Sequence, residues 1–372
     1  MRRRLLLTLA LTLALTALAA PTAQADQGAV SRGAAAVSLT VTGHGFGHGV
    51  GLSQWGAEAR ARAGQSYEQI LSFYYPGTTL GSAPDTSVRI LLAELPRVRV
   101  GSRAAFTIED ASGARTRLGP GSYAVGTDGR LGRLELELPA LVTAGAAPLR
   151  LGGTPYRGTF RLISSGGRLR VVDTLPLEQY LVGVVSSENP GYWPQPALRS
   201  QAVASRTYAL ANLHPEADFD LYPDDRSQNY HGLAKDFPGA RAAVAATSHR
   251  VLLYAGRPID AFFSASNGGM TSRLEPSWGG PALPYFAAEV DPFDRSNPVA
   301  TWGPIRVSVA KLREAIPGLP AAISSVTVTQ DAADRAVVLT FFGLDGSASA
   351  VKASDFQTRL GLRSTFLSVS LD

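Results

Sequence analysis

Residues 43–52 alternate strictly between glycine and a residue with a side chain, and this pattern constrains the fold more than any other stretch of the chain. The side chains at the even positions are His44, Phe46, His48, Val50 and Leu52. In an extended strand, a period of two leaves one face as bare backbone, which a ligand or another segment can approach closely. Because glycine is entropically costly to order, we expect tight contacts that offset this cost.

Two interpretations of this glycine stretch are open. In the first, which we favour, it is a tight structural strand beneath a helix that starts near Ser53, and local carbonyls bind the histidines. In the second, His44 or His48 contacts a ligand directly. A metal shared by the two is disfavoured, because residues four apart on a strand lie about 13 Å apart and so many glycines do not hold a helix. We therefore expect no metal and no cofactor.

The remaining pattern predicts an α+β protein. Runs of helix formers are punctuated by Ser, Gly and Pro, and apolar residues elsewhere alternate like short strands. The predicted helices are 53–63, 67–75 and 175–213, the last with a proline-rich break at 190–196. The predicted strands include 98–100, 134–138, 251–254, 259–265, 326–329 and 337–342. The chain has 372 residues and no cysteine, which excludes disulfides, thiol nucleophiles and Cys-ligated zinc.

The first 25 residues are typical of a secretory signal peptide. Three arginines precede an apolar run, Leu5–Ala20, and Ala23–Ala25 supplies small residues for cleavage after Ala25. An uncleaved anchor is the alternative, but the run is short for a membrane span, which takes about 20 apolar residues. We expect a protein that is secreted or held at the cell envelope, with no integral membrane span after cleavage.

The formal charge of +5 is unevenly distributed. Removing Arg2, Arg3 and Arg4 leaves 32 basic against 30 acidic residues, a net charge of +2. Between Val88 and Asp173, 13 arginines face 7 acids, whereas 176–280 carries 8 basic and 10 acidic residues. The mature chain is therefore nearly neutral, with a basic β-rich part next to a mildly acidic one.

Glu188 is the leading catalytic candidate. It ends an apolar run that begins at Leu177, and Val184, Val185 and Trp193 lie nearby in the sequence. A carboxyl group against apolar surface keeps its proton near neutral pH and can act as a general acid. The alternative is an ordinary glutamate at a helix end.

The helix predicted after Glu188 offers further candidates. Leu198, Ala202, Ala209 and Leu213 form an apolar stripe that also contains Arg206. A buried arginine needs a partner. Because pairing with Glu188 would lower the pKa of that carboxyl, we expect Asp224 or Asp225 instead. Gln201 and Tyr208 share another face, which is expected to line a cleft.

Several separate motifs together resemble the SpoIID/LytB family, the stage II sporulation protein D and amidase-enhancer proteins of bacteria. The matching segments are Gly43–Ala57, Leu177–Glu188, Ala197–Tyr208, Gln228–Gly232, Phe263–Thr271 and Leu360–Thr365. The resemblance implies a SpoIID-like core with helices around Glu188–Leu213. Together with the signal-peptide pattern and the Ala/Gly/Ser-rich, aperiodic residues that follow it, the resemblance predicts a signal peptide, a flexible arm and four folded parts. The signal peptide is 1–25 and the arm is 26–37. The folded parts are a glycine-motif part (38–85), a β-rich insertion (86–175), a catalytic part (176–300) and a β-rich C-terminal part (301–372).

Sporulation protein D members act as lytic transglycosylases on peptidoglycan glycan strands, and the resemblance places their acid/base glutamate at Glu188. The C6 hydroxyl of the muramyl sugar can attack its own anomeric carbon, so that one carboxylate suffices. The residues expected to bind substrate or support the site are Gln54, Gln201, Arg206, Tyr208, Gln228, Tyr230, Ser264, Ser266, Gly268, Gly269, His44 and His48. Some members hold a metal through cysteines where this chain has Tyr222 and Ser227, so we expect that site to be absent.

Two other functions stay open. One is a non-catalytic, wall-binding amidase enhancer, whose partner is a cell-wall amidase. The other, a metal-dependent hydrolase using His44 and His48, is disfavoured by their spacing. The basic β-rich part is interpreted either as a contact surface for anionic wall polymers or as an ordinary solvated surface. Glycan strands are the expected substrate, and no nucleic acid is expected as a partner.

Overall fold

The computed structural model describes residues 36–275, 279 and 281–372. The predicted signal peptide and all but the last two residues of the predicted arm lie outside the described residues. The described chain combines helices and strands throughout, which confirms the predicted α+β class. No helix within it is long and apolar enough to cross a bilayer.

The predicted helices all form, and the first begins at its expected serine. The hydroxyl of Ser53 accepts a hydrogen bond from the backbone N–H of Gly56 and caps the first helix, and Ser66 caps the second in a capping box with Gln69. The α-helices of the described chain are α1 (Gln54–Arg62), α2 (Tyr67–Tyr74), α3 (Leu177–Glu188), α4 (Gln195–Ala211), α5 (Pro238–Ala246), α6 (Val309–Ala315) and α7 (Ala353–Leu360).

The strands of the described residues form six sheets. The strands up to the first long helix pair are β1 (Ser38–His44), β2 (Leu52–Ser53), β3 (Thr79–Ser82), β4 (Ser87–Leu95), β5 (Arg97–Ser102), β6 (Phe106–Glu109), β7 (Arg115–Leu118), β8 (Gly121–Gly126), β9 (Arg130–Leu131), β10 (Leu134–Glu135), β11 (Ala140–Thr143), β12 (Leu149–Leu151), β13 (Thr154–Tyr156), β14 (Thr159–Ser165) and β15 (Arg168–Pro176). The later strands are β16 (Arg250–Tyr254), β17 (Arg257–Pro258), β18 (Phe263–Ser264), β19 (Thr301–Ser308), β20 (Ile323–Gln330), β21 (Ala336–Gly343), β22 (Ala348–Lys352) and β23 (Leu367–Leu371). The predicted strands at 134–138 and 259–265 are shorter than expected, since only β10 and β18 form within them.

Strands β4 to β15 build two six-stranded sheets, ordered β10-β9-β8-β5-β12-β13 and β4-β15-β14-β11-β6-β7. Alternate residues of both sheets, such as Val100, Val125, Phe106 and Phe160, are buried in one shared apolar cluster. Strand β15 pairs antiparallel with β4 and then runs directly into α3. The β-rich part is thus joined to α3 without a loop.

Helices α1 to α5 surround a second apolar cluster, and α4 lies at its centre. The predicted stripe is confirmed, because Leu198, Ala202 and Ala209 are all fully buried. Val184 and Val185 of α3 belong to the same cluster. The end of α3, where Glu188 lies, is therefore held against the interior of the protein.

The first strand, β1, lies in the middle of a sheet with β19 and β23. Leu39 pairs with Val307 on one side and with Leu371 on the other. Its buried side chains join a third apolar cluster that is otherwise built from residues beyond 300.

The extended conformation predicted for the whole glycine stretch is wrong beyond His44, where β1 ends. Gly45, Gly47, Gly49 and Gly51 all have positive φ angles, between 68° and 104°. Residues with side chains rarely adopt such angles, so alternate glycines bend the chain at every second position.

The close packing expected for this stretch is observed, and its partners are other segments of the same chain. A Cβ atom on Gly51 would lie 2.2 Å from the carbonyl oxygen of Phe262. Phe46 and Val50 make isolated bridges with Ser266 and Ser272. Glycine here provides both the backbone angle and the room for a neighbouring main chain.

Candidate active site

Three distant segments meet at the carboxylate of Glu188, the last residue of α3. Its Oε1 accepts a hydrogen bond from the backbone N–H of Asn229 at 2.8 Å. Its Oε2 accepts one from the side-chain amide of Gln54, the first residue of α1, at 3.0 Å. Both oxygens are thereby fixed in direction, and each keeps a second lone pair available for a proton.

Burial raises the pKa of Glu188 above its ordinary value. The hydrogen bonds from Asn229 and Gln54 and the charge of Lys235 act in the opposite direction and only partly offset it. The side chain is nevertheless half-buried rather than sealed. The site thus holds an oriented carboxyl group that keeps its proton to higher pH than a solvated glutamate does.

A row of side-chain amides and hydroxyls supports Gln54. Its amide nitrogen also lies 3.3 Å from Oε1 of Gln201, and the amide nitrogen of Gln201 donates to the hydroxyl of Ser205 at 3.0 Å. Gln201 is only 1% exposed, so it does not line an open cleft as expected. It positions Gln54 instead, whereas Tyr208 is half-buried with its ring 6.0 Å from that of Phe262.

Gln228 and Tyr230 flank Asn229 and anchor the loop that carries it. The amide nitrogen of Gln228 donates to the hydroxyl of Tyr180 at 3.4 Å and to the carbonyl of Ser205 at 3.3 Å. The ring of Tyr230 lies 5.0 Å from that of Tyr180, and both are buried. Both predicted residues therefore lie next to Glu188, on the interior side of the loop.

The prediction that Arg206 pairs with Asp224 or Asp225 is wrong. Its guanidinium donates to both carboxylate oxygens of Glu178, each at 2.7 Å, whereas Asp224 pairs with Arg226. Glu178 lies in the first turn of α3, at the opposite end of the helix from Glu188. Arg206 is fully buried and binds α3 to α4 there, so the structure does not bring it to the candidate site.

Ser266 and Gly268 belong to a second polar cluster, centred on Asp294. Its Oδ2 accepts hydrogen bonds from the hydroxyl of Ser266 and the backbone N–H of Gly268, both at 2.6 Å. Its Oδ1 accepts one from the Ser53 hydroxyl at 2.7 Å, and burial raises the pKa of Asp294 to about 6. Through Ser53, this cluster fixes the start of α1 and therefore the position of Gln54.

The two other predicted residues of that region, Ser264 and Gly269, also make hydrogen bonds within the fold rather than contacts with Glu188. The hydroxyl of Ser264 accepts a hydrogen bond from the backbone N–H of Gly49 at 3.2 Å. The backbone N–H of Gly269 donates to the side-chain oxygen of Asn267 at 2.8 Å. The predicted set of site residues thus splits into a group at Glu188 and a group that supports α1 and the glycine stretch.

The two histidines of the glycine stretch have different surroundings. His48 Nδ1 accepts from the backbone N–H of Val50 and its Nε2 contacts the carbonyl of Phe263, each at 3.0 Å. This pairing places the proton on Nε2, and burial with the nearby Arg335 lowers the pKa of His48 to about 4. His44 is exposed and its ring lies 5.0 Å from that of Phe366. Over the described ranges, no three His, Asp or Glu residues are grouped as metal ligands.

Sequence reasoning missed Asn229, whose backbone N–H donates a hydrogen bond to Oε1 of Glu188 and whose side chain also hydrogen-bonds this carboxylate. It also missed Tyr180 and Ser205, which hold Gln228 and Gln201. Asn229 lies within the motif Gln228–Gly232, which was the only available signal. Every residue except proline has a backbone N–H, so the residue type cannot show which one binds Glu188.

A family model matches the region of the chain that contains Glu188. Residues 165–254 match the family model described as Stage II sporulation protein, SpoIID. The chain is 32% identical over 144 residues to the stage II sporulation protein D of Bacillus subtilis, covering 34% of this chain and 42% of that protein. It is 35% identical over 139 residues to an uncharacterized protein of Brachyspira hyodysenteriae, covering 37% and 38% of the two chains.

A further relative is the amidase enhancer of Bacillus subtilis, 34% identical over 114 residues, which are 31% of this chain and 15% of that protein. The chain thus spans at most about two fifths of the length of these relatives. The matched segment 165–254 contains α3, α4, Glu188 and Asn229. Together with the motifs in the sequence, these matches confirm the predicted resemblance to the SpoIID/LytB family.

Proposed function

We propose that this protein is a cell-wall-acting lytic transglycosylase that cleaves peptidoglycan glycan strands with Glu188 as its acid/base. The observation that carries the proposal is the environment of this carboxyl group. It is buried enough to hold a proton, oriented by two hydrogen-bond donors, and located in the segment that matches SpoIID.

In the first half of the proposed reaction, protonated Glu188 donates its proton to the glycosidic oxygen between N-acetylmuramic acid and N-acetylglucosamine. The bond from this oxygen to the anomeric carbon of the muramyl sugar breaks, and the leaving sugar departs as a neutral alcohol. Gln54 and Asn229 then stabilise the carboxylate that remains, because both donate hydrogen bonds to its oxygens.

In the second half, the C6 hydroxyl of the muramyl sugar attacks its own anomeric carbon and Glu188 takes up the hydroxyl proton. The product is a 1,6-anhydro ring, and the carboxyl group regains its starting state. An internal nucleophile has a high effective molarity, so no second carboxylate has to activate water. The hydrogen-bond partners of Glu188 in the described chain are amides, which agrees with a single acid/base group.

The proposal extends to location and partners. The SpoIID match, the similarity to an amidase enhancer and the predicted signal peptide support a role in the bacterial cell wall. Glycan strands are the proposed substrate and a cell-wall amidase is a proposed partner. A sporulation role is proposed only through the stage II sporulation relatives.

The test compares wild type with Glu188→Gln on purified glycan strands, with products identified by mass spectrometry. We expect wild type to release 1,6-anhydro-muramyl ends, and the variant to be slower by about a hundredfold or more, because general acid–base catalysis contributes about 10²–10⁴-fold. Glu216→Gln, which changes an exposed glutamate outside the site in the same way, is the matched control and should retain full activity.

Anhydro products released equally by Glu188→Gln would overturn the assignment of the acid/base. If neither protein releases them, but both raise the rate of a cell-wall amidase equally and both bind wall material, the chain is a non-catalytic enhancer. Activity that disappears in chelator would favour the metal-dependent hydrolase.

A further inference from the structure

Asp173 is a fully buried carboxylate that the proposed reaction does not use. It lies on β15, in the β-rich part, and its Oδ2 accepts a hydrogen bond from the Tyr230 hydroxyl at 3.3 Å. Its other oxygen, Oδ1, is buried and has no hydrogen-bond partner. Keeping such a group in the interior is costly, so a carboxyl at this position requires a reason beyond packing.

The hydrogen bond from Tyr230 connects Asp173 to the candidate site. Tyr230 directly follows Asn229, whose backbone N–H binds Glu188. On its other side, the backbone N–H of Tyr230 donates to the carbonyl of Pro223 at 2.9 Å. The direction of the Asn229 N–H therefore depends on how firmly the side chain and the backbone of Tyr230 are held.

Strand β13 of the same β-rich part, together with the residue after it, holds the following residues of this loop. The backbone N–H of Leu233 donates to the carbonyl of Pro155 at 2.9 Å, and the Tyr156 ring lies 5.8 Å from the Tyr230 ring. Arg157 forms an ion pair with Asp236 in which the carboxylate is almost completely buried. The β-rich part thus contacts the loop from 230 to 236 at four places.

We propose that Asp173 is a positioning residue for Glu188: by holding Tyr230, it fixes the backbone N–H of Asn229 that binds the catalytic carboxylate. This inference rests on the proposed function and assigns a task to the β-rich part, which buttresses the active-site loop through Asp173 and β13. Tyr230 and Tyr156 are the titratable groups that face Asp173.

The proposal predicts the direction in which the titration of Glu188 changes. The hydrogen bond from Asn229 lowers the pKa of Glu188. Loosening the loop weakens this bond, so the carboxyl should hold its proton to still higher pH. A residue that only filled space would affect stability without moving this titration.

The experiment follows the side-chain carboxyl of Glu188 by ¹³C NMR in the full-length free protein, with its signal identified by its loss in Glu188→Gln. We expect Tyr230→Phe, which removes only the hydroxyl, to raise the proton affinity of Glu188 about threefold or more. Asp173→Leu should act in the same direction, whereas Asp173→Asn, which still accepts from Tyr230, should restore the wild-type value. Arg115→Gln, which breaks an exposed ion pair on the same β-rich part, is the matched control and should change nothing.

In glycan cleavage, Tyr230→Phe should lower kcat about tenfold with little change in KM, since orientation of the acid rather than binding is lost. An unchanged Glu188 titration in a folded Tyr230→Phe protein would overturn the positioning role. This readout needs no substrate. The NMR result therefore tests the positioning role of Asp173 separately from the proposed function. It can refute the positioning role even if Glu188 proves catalytic, and it can support that role even if the glycan assay shows no activity.

Discussion

At the scale of single residues, Glu188 and Asp173 show how burial gives two carboxyls different properties. Burial raises the pKa of both, to about 7 for Asp173. Glu188 receives hydrogen bonds on both oxygens and is half-buried, whereas Asp173 is fully buried with one oxygen unbonded. The first arrangement suits proton exchange with a substrate. In the second, ionisation of Asp173 destabilises the folded protein.

The stability of the protein should depend on pH through Asp173. Its carboxyl has a pKa of about 7 when folded, against an ordinary value of 3.8. Between these values the folded state holds a proton that the unfolded state has released, so the free energy of unfolding falls as pH rises from about 4 to about 7. The asparagine in Asp173→Asn cannot titrate, so we expect this variant to gain stability relative to wild type across this range, by up to a few kcal/mol.

Urea unfolding of both proteins at several pH values measures this difference. Asp294, whose pKa of about 6 is also raised, contributes equally to both proteins and cancels in the comparison. Parallel curves for the two proteins would show that Asp173 is charged in the folded state throughout.

The role of individual residues could be predicted from the sequence only where residue type carries it. The motifs identify Glu188 and Gln54 as candidates, and the structure brings the two into contact. The Asn229 backbone donor could not be selected. The sequence predicts Asp224 or Asp225, which follow Arg206 in the chain, as its partner. The actual partner, Glu178, precedes Arg206 by 28 residues and reaches it because α3 packs on α4.

At the scale of elements, α3 carries one glutamate at each end, and the two have separate tasks. Glu178 and Glu188 lie ten residues apart, about 15 Å along a helix. Glu178 binds Arg206 and so fixes the angle between α3 and α4, while Glu188 points into the candidate site. The ion pair thereby helps to fix where the end of the helix that carries Glu188 lies.

We expect Glu178→Gln to destabilise the protein by about 3 kcal/mol, because it leaves the fully buried Arg206 without its counter-charge. The matched control is Asp224→Asn, which removes the acid from an exposed pair with Arg226 and should cost less than about 1 kcal/mol. Thermal and urea unfolding of the two variants measure both values. Equal losses would mean that the backbone carbonyls around Arg206 suffice to hold it.

Helices were easier to predict than the glycine stretch, for a physical reason. The segments Ser53–Ala63 and 175–213 combine caps, proline breaks and an apolar stripe, which all indicate the same structure. A strict alternation of glycine and side chain fits both an extended strand and a chain that bends at each glycine. Contacts with residues more than 200 positions away, such as Phe262 and Ser266, decide between the two.

At the scale of the whole molecule, three apolar clusters divide the described chain, and they do not follow sequence order. The β-rich cluster lies within residues 98–171, and the central cluster combines residues from both sides of it. The third cluster joins β1 to residues beyond 300. Composition could indicate the β-rich part, but no local pattern shows that β1 pairs with strands at the other end of the chain.

Leu39→Ala tests whether the third cluster can be loosened independently. Leu39 is fully buried, and truncation of a buried leucine costs about 2–5 kcal/mol. We expect amide hydrogen exchange to quicken in β19 and β23, which flank β1, and to stay slow in β14 and β15 of the β-rich part. Uniformly faster exchange would show that the clusters unfold as one cooperative unit.

The central position of β1 also determines the order in which the protein can fold. This strand is synthesised before the other described strands, yet its partners β19 and β23 belong to the last part of the chain. Leu39 and Val41 therefore lack their strand partners until β19 and β23 have been synthesised, and the sheet closes only by joining segments that are far apart in sequence. Contacts of such long range form slowly. The β-rich part, whose strand pairings are more local, can fold before β1 pairs with β19 and β23.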